Sequence, residues 1–377
     1  MSLILKSNKL ATNSLGNING IKGEQDWVAF FDFENGEYSK KINGTKTPLT
    51  ENDVLVSTSN KNLATKPMTQ TPLGEKSIIT EPNQKRFWKE NDRYGLLVED
   101  SQVNWFANSY TPVTQTILNI PAISTMVASC IGTGSITISG DGVDTVIVTE
   151  NTPATIKPQA QASTINLTVT VSGSLSYAQV VRCAGFACVH TPIATTASKP
   201  ASGSDFIEIN QALLTELLNT TQPVTIVAQT VPLHLTADAR AEYPELRIAI
   251  ETDDLVAAFG LIKTPTGAIK QRVVSSLKSN STYQANASGT LQPYELNKPI
   301  TQAIQVGDFG ALIATNGDGI LKQPQATGIN KIKRIRLGSG LATPTVQQGA
   351  NCIFTKLAIF NRLLTDAEIL KISKSWL

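Results

Sequence analysis

Polar and apolar residues alternate most regularly in the middle of the chain. Over residues 164–171 every second residue is apolar, and the residues between them are polar. This period of two predicts a strand with one buried and one exposed face. Shorter runs rich in isoleucine, valine and threonine, at residues 135–139 and 145–149, are separated by glycine-containing turns. Together these runs predict a small antiparallel β-sandwich over residues 112–182.

The C-terminal half carries further apolar runs, many of them rich in valine and isoleucine. They predict the strands of a second, larger β unit over residues 183–377. Two short helices interrupt this pattern. The first is predicted to start near Asn210, because four leucines fall on one face: Leu213, Leu214, Leu217 and Leu218. Thr365 with Glu368 three residues later predicts a capping box at the start of the second.

The N-terminal part is more polar and shows no helical period. Residues 27–33 and 53–57 predict short strands within a β-rich N-terminal region over residues 26–111. Residues 1–25 contain three glycines and little apolar periodicity, so we expect an attachment arm that a partner orders. The predicted fold class is all-β, with this extended arm, a small sandwich, a larger one and a short C-terminal helix.

Charge and hydropathy exclude several functions. The chain has 377 residues, with 32 basic and 30 acidic side chains and a formal net charge of +2. Without a positive field to collect phosphates, no nucleic-acid partner is expected. The N-terminus has only three consecutive apolar residues, and no run approaches the roughly 18 of a membrane span. We therefore expect neither a secretory signal nor membrane insertion. We expect the chain to be made in a cytoplasm.

The residue types of common catalytic chemistry are scarce. The chain has two histidines and four cysteines, and Cys183 and Cys188 have four residues between them instead of the two of common zinc or redox pairs. We expect the cysteines to be small buried side chains, with no metal centre and no Ser-His-Asp arrangement. Phosphate-loop and nucleophile-elbow motifs are also missing from the sequence. We predict no enzymatic activity, no catalytic residues and no cofactor.

Two charged groups of residues nevertheless need an interpretation. A polysaccharide hydrolase requires only two carboxylates about 5–9 Å apart. Five acidic residues are available for such a pair: Asp238, Glu242, Glu251, Asp253 and Asp254. The last two are neighbours and would point to opposite faces of a strand. The basic run at residues 331–336 also alternates between faces, which favours a solvated strand face over a site for an anionic polymer.

Residues 85–106 contain Lys-Arg-Phe, then Tyr-Gly-Leu-Leu-Val-Glu, then Asn-Trp-Phe. This order resembles a pattern common in structural proteins of tailed bacteriophages. The family pattern is Arg-Phe, a short gap, Gly-Leu-Leu-Val/Ile-Glu, then Thr-Asn-Leu. Here Val103 replaces the threonine and Trp105 replaces the leucine. From the residues themselves, we expect Gly95 to Glu99 to form a buried strand in which backbone donors satisfy Glu99.

Two later segments extend the resemblance. Tyr177-Ala-Gln179, Gly185-Phe-Ala187 and Thr191-Pro-Ile193 resemble the family's next motif but lack its Ser-Tyr-Ile stretch. Residues 355–362 and 364–369 are similar to the closing strand and helix of concanavalin A-like, laminin-G-like jelly rolls. Upstream, residues 31–36 resemble the strand and turn that open these proteins. With them, the motifs extend in order and spacing over roughly residues 30–370, which makes the match more specific than any one motif.

The resemblance implies a virion surface structural protein, a tail, fibre or collar component, assembled in the host bacterial cytoplasm. It implies a concanavalin A-like jelly roll at residues 183–377 and three kinds of partner. These are other virion proteins bound through the N-terminal arm, a host-surface glycan, and further copies of the chain, with a trimer favoured. Laminin-G folds often hold calcium, so a calcium ion is compatible with this fold. A capsid decoration protein without a receptor role and a polysaccharide hydrolase remain as alternatives.

A lectin-like domain also suggests where a glycan would bind. Such sites combine an aromatic ring, which covers the apolar face of a sugar, with amide or carboxylate groups that bond its hydroxyls. Tyr283 stands in a polar loop, and Asn316 and Asp318 belong to a predicted Asn-Gly-Asp-Gly hairpin. If these loops meet at one rim, the three residues form a glycan-binding face. The alternative is a solvated tyrosine beside an ordinary hairpin.

Overall fold

The computed structural model describes residues 26–376 apart from several gaps. The gaps are residues 58–61, 82, 100–101, 122–125, 160–162, 183–190, 204, 206, 219–222, 234–244, 253–254, 264–268, 278–283, 288–296, 308–309, 316–319, 324–331 and 339–349. The predicted attachment arm, residues 1–25, lies outside the described residues, as do Cys183 and Cys188. The other two cysteines, Cys130 and Cys352, are buried, as predicted.

Strands make up most of the described chain. The first group is β1 (Trp27–Asp32), β2 (Glu37–Ile42), β3 (Thr45–Leu49), β4 (Leu55–Ser57), β5 (Met68–Gln70), β6 (Lys76–Ile78), β7 (Phe87–Glu90), β8 (Arg93–Val98) and β9 (Val103–Asn104). The second is β10 (Gln115–Pro121), β11 (Met126–Gly132), β12 (Ser135–Gly140), β13 (Val143–Val148), β14 (Ala154–Ile156), β15 (Thr164–Ser172) and β16 (Leu175–Arg182). The third is β17 (Ile207–Ile209), β18 (Val224–Pro232), β19 (Glu245–Glu251), β20 (Leu255–Lys263), β21 (Ile269–Leu277), β22 (Gln284–Ala287), β23 (Ile300–Gly307), β24 (Gly310–Thr315), β25 (Ile320–Gln323), β26 (Arg334–Leu337) and β27 (Cys352–Phe360).

The helices of the described chain are short: α1 (Glu51–Val54), α2 (Gln211–Leu217), α3 (Asp366–Ser375) and a 3-10 turn at Leu63–Thr65. Helix α2 begins directly after Asn210, which caps it, so the helix predicted to start near this residue is confirmed. Thr365 with Glu368 forms the predicted capping box of α3. The strand predicted over 53–57 is wrong in its first half, because a capping box at Thr50 starts α1 there. None of these helices has the length and hydropathy to cross a membrane.

Two antiparallel sheets pack face to face in what we call the large sandwich. One has ten strands in the order β25-β24-β23-β18-β27-β1-β2-β3, with β8 paired to the N-terminal half of β27 and β7 paired to β8. The other has seven, β22-β21-β20-β19-β26-β17-β4. Phe31 and Ile226 from the first sheet and Ile248 and Leu337 from the second share one buried core. The apolar area buried there is the main stabilising contribution.

Strands from residues 26–111 and 183–377 lie in the same sheets. β1 pairs with β27, and β4 pairs with β17, although each pair is far apart in sequence. β1 is buried at every position and β27 at all but one. Strands that are apolar on both faces must be covered on both, which places them in the middle of a sheet. Backbone hydrogen bonds therefore join residues 26–111 to residues 183–377 within the same sheets. The division of the chain into four domains stays a prediction.

A second pair of four-stranded sheets, the small sandwich, is built from β9 to β16. Its sheets have the orders β10-β15-β12-β13 and β14-β11-β16-β9. On β15, Ile165, Leu167 and Val169 are buried while the residues between them are exposed, so the alternation predicted there is confirmed. These sheets include Val103–Asn104, which precede the predicted boundary at residue 112. The all-β class, with a small sandwich, a larger one and a C-terminal helix, is confirmed.

Candidate functional site

Tyr283, Asn316 and Asp318 lie outside the described residues. The strands next to their loops are described: β21 and β22 flank the loop of Tyr283, and β24 and β25 flank the Asn-Gly-Asp-Gly sequence. β21 contacts both β24 and β25, so these parts of the two sheets lie side by side at one edge of the large sandwich. The strands that flank the two loops therefore lie at one edge of the large sandwich. The glycan-binding face formed by the loops themselves stays a prediction.

Helix α3 covers part of the outer face of the ten-stranded sheet, the face turned away from the seven-stranded sheet. Ile369, Ile372 and Trp376 of the helix pack against Phe30 and Phe360 of the sheet. The rings of Phe30 and Trp376 meet edge to face with centroids 6.1 Å apart. Such pairs add about 0.5–1.5 kcal/mol beyond the buried area, so the helix is a fixed part of the fold.

Amide side chains on the same face hydrogen-bond to this helical segment. The Gln305 amide donates to the carbonyl of Leu364 at 2.6 Å. The Gln229 amide donates to the carbonyl of Trp376 at the end of the helix, where the backbone leaves carbonyls without a helical partner. These buried amides therefore serve the fold and are closed to a sugar.

The hairpin formed by β5 and β6 closes another part of this face. Met68 from the hairpin packs with Trp88, Leu97 and Ile353 of the sheet. The Lys76 ammonium lies over the Trp88 ring, 5.6 Å from its centroid. Since α3 and this hairpin cover the apolar clusters of the described outer face, an approaching sugar would have to use the edges and loops of the large sandwich.

A buried arginine joins two carboxylates where the large sandwich meets the small one. Arg86, Glu99 and Asp205 are 1%, 2% and 3% exposed. Arg86 Nη2 donates to Glu99 Oε2 at 2.7 Å and also to Asp205 Oδ2. Burial lowers the pKa of Arg86, but the Asp205 and Glu99 carboxylates raise it by more, so the guanidinium stays charged.

Glu99 also binds the segment that returns from the small sandwich. The Thr191 backbone N–H donates to Glu99 Oε1 at 2.9 Å, and the Thr191 hydroxyl donates to Oε2 at 2.6 Å. The Glu99 backbone N–H donates to Asp205 Oδ2 at 3.0 Å. The prediction that backbone donors satisfy Glu99 is therefore incomplete, because Arg86 and a hydroxyl also contribute. A buried carboxylate needs such a charged partner.

The second motif of the resemblance lies next to the first. The Tyr177 hydroxyl donates to Gln179 Oε1 at 2.6 Å and accepts from the Ile193 backbone N–H at 2.7 Å. The Asn104 amide donates to the Ile193 carbonyl at 2.9 Å, and its oxygen accepts from the Val180 N–H at 3.0 Å. Burial raises the pKa of Tyr177 well above its ordinary value, so the phenol stays neutral and can donate.

Two lysines lie over aromatic rings beside this buried network. The Lys66 ammonium is 5.4 Å from the centroid of the Tyr110 ring, and the Lys199 ammonium is 5.3 Å from that of Trp105. Each contact contributes about 0.5–1 kcal/mol at an exposed site. Lys66 ends the 3-10 turn between β4 and β5, and Lys199 belongs to the segment that returns from the small sandwich, so both contacts tie the small sandwich to its neighbours. We call the whole arrangement the junction; its members are Lys66, Arg86, Glu99, Asn104, Trp105, Tyr110, Tyr177, Gln179, Thr191, Ile193, Lys199 and Asp205.

The chemistry of the junction is structural. Glu99 and Asp205 converge, but both are buried against Arg86 and closed to a substrate. Among the acidic residues considered for hydrolysis, Glu251 is described and pairs with Arg334 at 3.4 Å. Asp238, Glu242, Asp253 and Asp254 lie outside the described residues. Within the described ranges no three His, Cys, Asp or Glu side chains are grouped as metal ligands.

The described end of the basic run at residues 331–336 lies in strand β26, which begins at Arg334. Ile335 is buried, while Arg334 and Arg336 lie on the other face. Arg336 Nη2 is 2.7 Å from Glu208 Oε1, so the positive charge is balanced locally. The prediction of a strand is confirmed for these residues, but the two arginines share one half-buried face on which they pair with carboxylates, and are not spread over both faces.

The sequence identified Arg86 and Glu99 only through the resemblance and did not identify Asp205 as their partner. The local signal was a glutamate directly after the apolar run Leu96-Leu97-Val98. A buried charge requires a partner, but the local pattern around Arg86 does not identify Asp205, 119 positions further along the chain, as its second carboxylate.

Comparison with known proteins gives distant structural likenesses. No protein-family model matches the chain, and no curated protein matches it. A K499G mutant of NanB sialidase from Streptococcus pneumoniae is 13% identical, with a TM-score of 0.32 over 43% of this chain and 25% of that one. A Ruminococcus gnavus IT-sialidase CBM40 bound to α2,3-sialyllactose is 13% identical, with a TM-score of 0.30 over 40% of this chain and 83% of that one.

Botulinum neurotoxin type C, whose cell entry depends on interaction with two ganglioside molecules, is 16% identical, with a TM-score of 0.32 over 46% of this chain and 41% of that one. This chain spans about a quarter of the length of the NanB sialidase. At these scores the likenesses assign neither a family nor a ligand.

Proposed function

We propose that this chain is a surface structural protein of a tailed-bacteriophage virion, a component of a tail, fibre or collar. In this proposal the N-terminal arm attaches it to other virion proteins, and the rim of the large sandwich contacts a host-surface glycan. The role is non-catalytic, and the chain works as a homo-oligomer, with a trimer favoured. It is assembled in the host bacterial cytoplasm.

The observation that supports this proposal is the convergence of the resembling segments. Arg86 and Glu99 of the first segment and Tyr177 and Thr191 of the second belong to one junction. The third segment supplies β27, the strand between β18 and β1, together with α3. The first two motifs thus join the inserted small sandwich to the large one. The third completes the ten-stranded sheet of the large sandwich and covers part of its outer face.

Deleting residues 2–25 should abolish incorporation into virions and leave a folded remainder. The described sheets pair among themselves between Trp27 and Phe360, so we expect the sandwiches to form without the arm. Incorporation is measured by immunoblotting of purified virions, and folding by circular dichroism of the purified chain. Normal incorporation of the shortened chain would contradict the role of the arm.

The copy number of the chain in purified virions separates the tail from the capsid as its location. Hundreds of copies would indicate capsid decoration, and a few oligomers would indicate the tail.

Tyr283→Ala should weaken adsorption to host cells by about tenfold, the effect of losing roughly 1.4 kcal/mol of ring–sugar contact. The melting temperature should change little if the ring lies in a surface loop. Adsorption is measured as the depletion of free virions by host cells. Leu73→Ala, at an 85% exposed side chain in the turn between β5 and β6, provides a control away from the proposed rim. Unchanged adsorption with Tyr283→Ala would remove this residue from the glycan site.

A further inference from the structure

Strand β7 lies at an edge of the ten-stranded sheet. Within the described part of the chain, it pairs with β8 and with no other strand. The N–H groups of Phe87 and Lys89 point away from β8, because they bond to side chains of the β5–β6 hairpin. Outward-facing backbone groups of an edge strand are a template on which another extended chain can pair. The groups that occupy this edge therefore decide whether such pairing occurs.

Two side chains of the hairpin occupy this edge in place of a strand. The Thr69 hydroxyl accepts from the Phe87 N–H at 2.9 Å and donates to the Phe87 carbonyl at 3.2 Å. Gln70 Oε1 accepts from the Lys89 N–H at 2.7 Å. In an antiparallel ladder, the backbone of a neighbouring strand would bond to these same groups. We call Thr69 and Gln70 the blocking pair.

The hairpin holds the blocking pair in place through several contacts. The Tyr94 hydroxyl donates to the Gln70 carbonyl at 3.2 Å. Met68 packs against Trp88 of β7, and Gln70 is only 8% exposed. The backbone of β5 pairs with β6 in a separate two-stranded sheet, so it does not continue the ten-stranded sheet. Side chains of the hairpin thus take the place of a further strand beside β7.

We propose that the blocking pair prevents strand addition at β7, and that a second copy of this chain is the strand it keeps out. Two β7 edges can pair antiparallel about a two-fold axis, with Phe87 of each copy opposite Lys89 of the other. The N–H and C=O groups of these residues then bond across the axis, and Trp88 of one copy lies opposite Trp88 of the other. Such a contact is self-complementary, so it forms between identical chains without a third component.

Loss of the blocking pair favours this pairing for a physical reason. The N–H groups of Phe87 and Lys89 then lose their acceptors, and a donor that is left without an acceptor beneath the hairpin is costly. Pairing with a second copy returns an acceptor to each of them. The blocking pair therefore confines the association of this chain to other surfaces. This role is independent of the proposed function, which concerns the arm and the rim of the large sandwich.

The test measures the mass of the full chain in solution, by light scattering during size-exclusion chromatography. The variant Thr69→Val/Gln70→Met removes the bonding groups of the blocking pair at nearly unchanged side-chain volume. The control Thr69→Ser keeps the hydroxyl. Thermal melting of each variant verifies that it is folded.

A second variant removes the hairpin itself and replaces residues 68–78 by two glycines. The ends of this deletion lie together, because the Ile79 N–H donates to the Pro67 carbonyl at 2.9 Å. Lys89→Pro is then added to each of the two variants. It removes an N–H that strand addition needs and keeps the bonds to β8, since this N–H points away from β8.

We expect the unmodified chain and the Thr69→Ser control to have the same mass. Both variants should form particles of about twice that mass, since pairing about a two-fold axis joins two of them. Lys89→Pro should return both variants to the mass of the unmodified chain. An unchanged mass for both variants overturns the inference, as does association that persists with Lys89→Pro. Association of the deletion variant alone overturns the role of the blocking pair, because the rest of the hairpin would then be the obstacle.

Discussion

Replacing Arg86 by methionine should lower the free energy of unfolding by about 3–5 kcal/mol, because it leaves two buried carboxylates without their cation. Glu99 and Asp205 are buried around the guanidinium, and burial of an unpaired carboxylate costs far more than a surface ion pair contributes. The change is measured as the shift of the guanidinium chloride unfolding transition of the purified chain.

The matched control for this variant is Arg334→Met. Arg334 is 40% exposed and its closest carboxylate oxygen, Glu251 Oε2, is 3.4 Å from Nε. Loss of such an exposed pair costs about 0–1 kcal/mol. Equal destabilisation by the two substitutions would show that Arg86 is no more important to the fold than a surface arginine, and would contradict our account of the junction.

Gly95→Ala should also destabilise the chain strongly, by about 3 kcal/mol or more, since it overpacks the middle of a sheet. Gly95 lies in β8, and a Cβ atom there would be 2.2 Å from the carbonyl oxygen of Phe354 and 2.8 Å from Cγ2 of Ile353. The first of these atoms belongs to the backbone of β27, which is fixed by its pairing with β18 on the other side. The strand can therefore yield only by losing hydrogen bonds.

A second glycine separates overpacking from backbone strain. Gly74, at the tip of the β5–β6 hairpin, has a φ of +89° and no atom within 4 Å of the position of a Cβ. Gly74→Ala should cost only the strain of a positive φ, about 1–2 kcal/mol. Chemical denaturation of both variants tests this, and a Gly95→Ala chain as stable as the Gly74→Ala chain would contradict the close approach of β8 to β27.

Local pattern was sufficient for elements whose cause is local. The alternation on β15, the start of α2 near Asn210 and the Thr365 capping box all depend on residues within one or two turns or one strand of each other. The same reasoning was wrong at residues 53–57, because the apolar Val54 and Leu55 concealed the capping box that Thr50 forms with Asp53.

Non-local pairing accounts for what the sequence did not reveal. β1 could join any apolar strand, and only the packed structure selects β27 as its partner. Likewise, Arg86 needs a carboxylate, but nothing near it distinguishes Asp205 from the other acidic residues. The proposed glycan-binding residues were chosen by residue type and loop context, and their mutual distance depends on the same kind of non-local arrangement.

The small sandwich is an insert whose two ends lie side by side, and we call residues 103–182 the cassette. Its chain enters at Val103 and leaves at Arg182, and these two residues are cross-strand neighbours. Recombination at this point can replace the intervening sequence by another of different length without moving β8 or the strands that follow. The exchange is constrained, however, because Asn104 and Tyr177 inside the cassette bond to Ile193 outside it. Related genes that carry unrelated inserts should therefore keep an asparagine and a tyrosine at these two places and vary freely between them.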